Sequence, residues 1–392
     1  MNILTISSLY PNNKDPKHGI FIETRLRNLM ADFPEIKPIV IAPVPWFPFS
    51  SAKFGEYAKF ADVVTKEVRN NIEVHHPKYV VIPKIGMYLT PFFMTIAIAK
   101  VIKKLKKQDK HFDLIDGHYF YPDGVAIAKA AKKYNIPFTC TARGTDINLI
   151  PQQPKARKMI QKVFIQAAHT MTVCQALKDE MLTLGAKSSD VTVLRNGVDL
   201  ELFNSSSKEQ QQTLKSELQI DNKLVMSVGW LIERKGHYLV IDAIKSLGNV
   251  TLAIAGNGPD KQKLQEQVKN LGLEDKVLFL GALSQTELNK WFRAADITVL
   301  ASSREGWANV LLESMASGTP VVATNVWGTP EVVASEEAGV LVERNAQSIA
   351  TGISSLLANP PSREVTRQYA EQFDWHSTSL GQYNIFKRII NE

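Results

Sequence analysis

Along this chain, apolar residues fall in short continuous runs, and between the runs they recur at helical spacing. Residues 3–7, 38–42, 113–116, 137–141, 170–174 and 191–194 read as buried strands in the first half, and 224–228, 250–255, 277–280, 297–301, 320–323 and 340–342 in the second. Continuous runs, unlike alternating ones, suit strands covered on both faces. The first long helix carries Ile22, Leu26, Leu29 and Met30 on one face, and later helices end at Gly248, Gly272 and Gly318. Strands alternating with helices predict an α/β protein with two doubly wound, Rossmann-like domains. Residues 204–212 are polar and read as a surface linker. The expected division is therefore 1–200 and 201–374, with a last amphipathic helix over 375–392.

A chain of 392 residues is too long for one ordinary core, which agrees with two domains. The start is a strand, with no basic n-region or apolar h-region, and no apolar run reaches membrane-span length. Cys140 and Cys174 lie in strand runs and are expected to be reduced and buried. These features point to a cytoplasmic enzyme. The net charge of +7 suits an anionic ligand or membrane surface. Nucleic-acid binding is disfavoured, because no basic strip is interleaved with aromatics and no zinc spacing is present.

The most informative stretch runs from Ser302 to Pro320, between two apolar strands. A Gly-bearing turn there opens a helix at a strand's carboxyl end, where open α/β sheets bind ligands. The amides of Trp307, Ala308, Asn309, Val310 and Leu311 are expected to seat phosphate. Helical side chains lean toward the N-terminus, so Glu313 should point back into the crevice. Glu305 precedes Gly306 and faces the same mouth. Amides for a diphosphate, with one carboxylate for a ribose diol and one for sugar hydroxyls, suit a sugar nucleotide.

The two glutamates, inside E-G-W-x-N-V-L-L-E-S-M-A-S-G-T-P-V-V, closely resemble the signature of family 4 retaining glycosyltransferases. The resemblance implies the two-domain B-type fold, with two Rossmann-like domains facing across a cleft and the last helix crossing back onto the first. It implies that Glu305 contacts the donor sugar and Glu313 the ribose. The N-G-V-D element at Asn196–Asp199 matches the family's interdomain hinge. After the strand over 224–228, Gly229 and Lys235 match the family pattern, but Trp230 stands where that pattern has arginine, and Arg234 is expected to supply the missing charge. Gly256 and Gly258 would let backbone approach base or ribose. In the first domain Gly19 keeps one of the family's paired glycines and His18 replaces the other. His118 matches a family histidine expected at the transferred sugar or departing phosphate. Arg143 replaces the histidine of an H-G-S-D element. It could bind an acidic group or only pair with Asp146, and both residues join Trp46 as acceptor-side candidates.

No paired carboxylates span a bond as in glycosidases, and no metal-ligand cluster or D-x-D stands at a cleft-side strand end. The resemblance implies no metal or cofactor, a UDP- or GDP-sugar donor, and front-face transfer with retention. Its overall look is that of bacterial exopolysaccharide and teichuronic-acid-type members, hence a lipid-linked or oligosaccharide acceptor. Membrane contact is suggested by the aromatic loop over 43–49 and by the helix from Pro91 to Lys107. That helix sets Met94, Ile98, Val101, Ile102 and Leu105 opposite Lys100, Lys103, Lys104 and Lys107; an ordinary core helix would show the same pattern. The rival readings are a sugar-nucleotide epimerase and a non-catalytic nucleotide-sugar binder. A hydride-transfer enzyme is disfavoured, since no G-x-G-x-x-G follows the first strand.

Overall fold

The computed structural model describes residues 1–47, 49, 60–82 and 86–391; Pro48 of the aromatic loop lies outside them. The chain forms two compact units, Met1–Arg195 with the C-terminal helix, and Asn196–Asp374. The division thus falls a few residues before the expected position of 200. Asn196 goes with the second unit because its side chain and carbonyl bond to Asn309 and Trp307 there.

The first unit runs β1 (Asn2–Ile6), α1 (Ile20–Asp32), β2 (Lys37–Ile41), β3 (Val44–Pro45), β4 (Lys66–Arg69), β5 (Ile72–His75), β6 (Lys78–Tyr79) and α2 (Thr90–Lys106). It continues with β7 (Leu114–His118), α3 (Val125–Tyr134), β8 (Phe138–Ala142), α4 (Thr145–Asn148), α5 (Pro154–Gln166), β9 (His169–Thr172), α6 (Gln175–Thr183) and β10 (Val191–Val193). Its eight-stranded sheet has the order β10-β9-β8-β7-β1-β2-β5-β4, parallel except for β4 against β5. The order reverses between β1 and β7, so the loops after these two strands flank a topological switch point. Every residue of β7, β8 and β9 is buried, as a sheet covered on both faces requires.

The β4–β5 hairpin is not among the elements that the periodicity predicts. Its turn is Asn70-Asn71, with φ of 47° and 63°, the left-handed pair that a tight hairpin needs. Lys66, Glu67 and Arg69 charge this edge strand, which discourages further pairing.

In α2, Met94, Ile98, Ile102 and Leu105 are fully buried and Val101 is half-buried, while the four lysines face water. The helix packs on α3 and β6, so the apolar stripe is core and is not available to a membrane. By length and composition alone, Gly86–Lys106 does qualify as a candidate span, with a mean hydropathy of 1.2, contrary to the sequence expectation.

The second unit contains α7 (Lys208–Glu217), β11 (Lys223–Val228), α8 (His237–Ile244), β12 (Val250–Ala255), α9 (Lys261–Asn270), β13 (Val277–Gly281), α10 (Gln285–Ala294) and β14 (Ile297–Leu300). Then follow α11 (Asn309–Ala316), β15 (Val321–Thr324), α12 (Thr329–Val332), β16 (Gly339–Val342), α13 (Ala346–Ala358) and α14 (Arg363–Glu371). Its six strands are all parallel, in the order β13-β12-β11-β14-β15-β16, and the switch point lies between β11 and β14. Side-chain caps close the starts of α7 (Ser207), α10 (Ser284), α13 (Asn345) and α14 (Ser362). Arg363 donates to the carbonyls of Arg293, Ala295 and Ser317, so one cation satisfies the C-terminal ends of both α10 and α11.

The last helix, α15 (Trp375–Asn391), packs on α1 of the first unit. Phe386 is fully buried there, and Tyr383 stacks on Phe33 with ring centroids 4.0 Å apart. Both cysteines are buried, and neither is in a disulfide.

Candidate active site

In the second unit the sequence-predicted residues gather where β11 and β14 end. Lys235 Nζ lies 2.6 Å from Glu305 Oε1, and Ser302 Oγ donates to the same oxygen at 2.6 Å. Arg234 Nη1 is 3.5 Å from Oε1 and donates to Arg304 O at 2.7 Å. Glu305 is buried, which alone would raise its pKa; the charges of Lys235 and then Arg234, with the two hydrogen bonds, outweigh this and hold it below the usual carboxylate range. Oε1 is saturated by the protein, whereas Oε2 has no partner among the described residues. Arg234, Lys235 and Glu305 thus lie together.

Immediately after Glu305 the chain turns into α11, whose N-cap Ala308 offers no side-chain cap. The amides of Asn309 and Leu311 are taken up by Trp307 O and Ala308 O. Leu311 and the Asn309 backbone therefore leave the expected phosphate seat. What remains is the amides of Gly306, Ala308 and Val310, which have no acceptor among the described residues. The Trp307 ring is buried, donates through Nε1 to Asn196 O at 3.0 Å and packs on Phe373. Asn309 Oδ1 accepts from Asn196 Nδ2 at 3.2 Å. The N-G-V-D element thus braces the turn from behind.

Glu313, one turn into α11, is half-buried and has no partner among the described residues. Desolvation with no compensating cation pushes its pKa up to about 7.

The glycines have reasons other than ligand access. Gly256 has φ 146°, and a Cβ there would lie 1.9 Å from Gly229 O; one on Gly258 would lie 2.3 Å from Leu231 O. They let the turn after β12 press on the turn after β11. A Cβ on Gly229 would lie 3.4 Å from the Lys235 side chain. In the first unit, a Cβ on Gly19 would strike Leu9 at 2.3 Å, so this glycine likewise serves loop packing.

At the first unit's switch point, His118 is buried with both ring nitrogens engaged. Nδ1 lies 2.7 Å from Arg143 Nη2 and Nε2 lies 3.1 Å from Asp116 Oδ2. Since guanidinium only donates, the ring is neutral with its proton on Nε2. Burial first, and the Arg143 charge, lower its pKa to about 4 against the opposing pull of Asp116. The network continues inward: Gln382 Nε2 donates to Asp116 Oδ2 at 3.0 Å, and Arg25 Nε donates to Gln382 Oε1 at 2.6 Å. Thr139 completes the Asp116 carboxylate at 3.2 Å.

This corrects the expectation for His118, which in this arrangement is interior scaffold with no ring nitrogen left for substrate. Asp146 is corrected too: fully buried, it accepts from the amides of Phe120, Arg143 and Gly144 and so clamps the loops after β7 and β8 together. Its carboxylate is spent on backbone amides and has no exposed oxygen for an acceptor. Arg143 lies over the Phe21 ring at 5.5 Å and is half-buried; Trp46 is exposed.

Sequence reasoning missed Asp116, Arg25, Gln382 and Ser302. Asp116 stands two before His118 in a strand, hence on the same face. Arg25 and Gln382 interrupt the apolar faces of α1 and α15 at helical spacing, a readable sign of buried polar partners. Among the described residues no group of three or more His, Cys, Asp or Glu side chains converges as a metal site would require.

Known proteins with this organisation are numerous. TuaC of Bacillus subtilis (strain 168), named for teichuronic acid biosynthesis, is 29% identical over 358 residues, covering 90% of this chain and 88% of its own. Sucrose-phosphate synthase from Thermosynechococcus elongatus superposes with a TM-score of 0.82 at 18% identity, over 100% of this chain and 99% of its own. Anabaena HepE, solved with UDP-glucose, gives a TM-score of 0.71 at 21% identity, over 97% and 98%. These two show the B-type glycosyltransferase fold. The family model described as glycosyl transferases group 1 matches residues 209–373, and that of glycosyltransferase family 4 matches 55–202. Matched by a glycosyltransferase model in each half, the chain is a glycosyltransferase.

Proposed function

We propose that this enzyme moves a sugar from a UDP- or GDP-sugar to a lipid-linked or oligosaccharide acceptor during assembly of cell-surface polysaccharide, with retention and without metal. The observation that carries the reading is the Lys235–Glu305 pair beside the uncapped start of α11 at the β11/β14 switch point. Such a place offers amides, a helix dipole and two cations to a diphosphate. Support for the donor class comes from HepE, whose solved form holds UDP-glucose, and for the pathway from the name of TuaC.

In this reading the amides of Gly306, Ala308 and Val310 hold the diphosphate with Lys235 and Arg234. Glu313 accepts the ribose hydroxyls, and the open Oε2 of Glu305 accepts a sugar hydroxyl. As the bond from the anomeric carbon to the phosphate oxygen breaks, Arg234 and Lys235 offset the charge gained by the leaving group. The acceptor oxygen bonds to that carbon on the same face, and its proton passes to the departing phosphate oxygen. The first unit presents the acceptor, with Arg143 facing an anionic group on it. Exposed Trp46, Phe49, Phe92 and Ile96, with the lysines of α2, touch an anionic membrane from the cytoplasmic side.

The test is a thermal-shift screen of UDP, GDP and ADP, then transfer assays with the matching nucleotide sugars and product anomeric configuration by NMR. Stabilisation by one diphosphate and a retained product are expected. An inverted product overturns the mechanism. Donor interconversion without acceptor favours the epimerase, and binding with neither transfer nor hydrolysis favours a non-catalytic binder.

A further inference from the structure

We infer that Trp230 is a specificity-determining residue, a preformed aromatic platform for the pyranose ring of the donor sugar. The inference rests on the reading that the second unit holds the donor.

Trp230 is 47% exposed, while its neighbour Leu231 is 1% exposed. The cause lies in the backbone. Gly229 N donates to Ala255 O at 3.0 Å and Leu231 N to Asn257 O at 2.8 Å, stitching the segment to the turn after β12 on both sides of Trp230. Asp260 N returns a bond to Leu231 O at 3.0 Å, and Ile232 N closes on Trp230 O at 2.9 Å. With residues 229 and 231 bound on one side, the side chain between them is held outward. Among the described residues its ring has no aromatic or cationic partner.

Single exposed apolar side chains are ordinary. This one differs in being large and in standing at the carboxyl edge of a parallel sheet, on a backbone segment bonded to the turn after β12 and next to Gly229, where a Cβ would lie 3.4 Å from the Lys235 side chain. Arg234 and Lys235 already place two cations at this edge. A tryptophan adds what they lack: a flat apolar surface with a negative π face. The C–H face of a pyranose fits such a surface, and a π face also attracts the positive charge that develops on the sugar ring as the bond to phosphate breaks. A diphosphate, being anionic, gains nothing from it.

The experiment uses the full-length protein with UDP, GDP, UDP-glucose, UDP-N-acetylglucosamine and GDP-mannose. Subtracting the tryptophan emission of Trp230→Phe from that of the parent isolates Trp230 among the six tryptophans. The expected result is an emission change with a nucleotide sugar and none with its diphosphate. Calorimetry should show Trp230→Ala weakening the nucleotide sugar about fivefold to tenfold, the diphosphate less than twofold, and Trp230→Phe keeping most of the affinity. Equal emission changes with the bare diphosphate overturn the inference, because the ring then serves the nucleoside. So does no change while calorimetry shows binding. If no nucleotide binds at all, the donor-site reading itself fails and takes this one with it. Should Trp230→Ala not fold, the emission comparison decides alone.

Discussion

The two sheets end in the same way, with a turn and a helix at a topological switch point, yet the chemistry at the two edges is opposite. In the first unit His118 and the carboxylates at this edge are engaged by protein donors. His118 uses both nitrogens, Asp116 takes three donors, Asp146 takes three amides, and Asp123 takes the amide and hydroxyl of Ser8. In the second unit the edge is left open: among the described residues Glu313 is unpartnered and Glu305 keeps one free oxygen, α11 starts without a side-chain cap and Trp230 stands in solvent. A polar residue at a strand end therefore does not by itself mark a ligand site. Whether the protein already satisfies it does.

The comparison can be broken most forcefully at Lys235. Lys235→Ala leaves the buried Glu305 carboxylate with only Ser302 and the more distant Arg234, and should cost about 3 kcal/mol in chemical denaturation. Adding Glu305→Gln should recover most of that stability while transfer stays lost; recovery of activity with stability would make the pair scaffold. Next is Gln382→Leu in the closed edge. It orphans Arg25 Nε and one Asp116 bond and should cost about 2 kcal/mol, with diphosphate affinity unchanged within about twofold. A large loss of nucleotide affinity would mean that the closed edge also binds the donor.

Glu313→Gln sharpens the contrast through pH. Burial raises the Glu313 pKa from an ordinary 4.5 to about 7, so the folded state holds this proton more tightly than the unfolded chain. The resulting stability is complete below the unfolded value and lost as pH rises through 7. At pH 8 the glutamine variant should therefore be the more stable by about 1–2 kcal/mol, and near pH 4 the two should converge. Sugar-nucleotide affinity of the parent should rise through pH 7, as donated hydroxyls favour the carboxylate, and stay flat in the variant. The smallest effect belongs to α2: Phe92→Ser with Ile96→Ser should change stability by less than about 0.5 kcal/mol but reduce salt-sensitive binding to anionic liposomes.

Much of this was legible beforehand. Buried parallel strands announce themselves as apolar runs, so both sheets follow from residues such as Leu114–His118 and Val250–Ala255. The β4–β5 hairpin escaped because its residues alternate with charge, although Asn70-Asn71 was a readable turn. At the open edge, local spacing sufficed to bring Lys235, Glu305 and Glu313 forward. At the closed edge it did not: Gln382 reaches Asp116 across 266 positions, and no local pattern reports that His118 is already spoken for. The helix start was over-read for a related reason, since the turn itself consumes the Asn309 and Leu311 amides.

The most direct test is a crystal structure with whichever of UDP or GDP raises the melting temperature more. The diphosphate should lie within hydrogen-bond reach of Lys235 Nζ and the amides of Ala308 and Val310, with the ribose at Glu313. A diphosphate bound elsewhere, above all one held by His118 and Arg143 alone, would contradict the assignment of the open edge as the donor site.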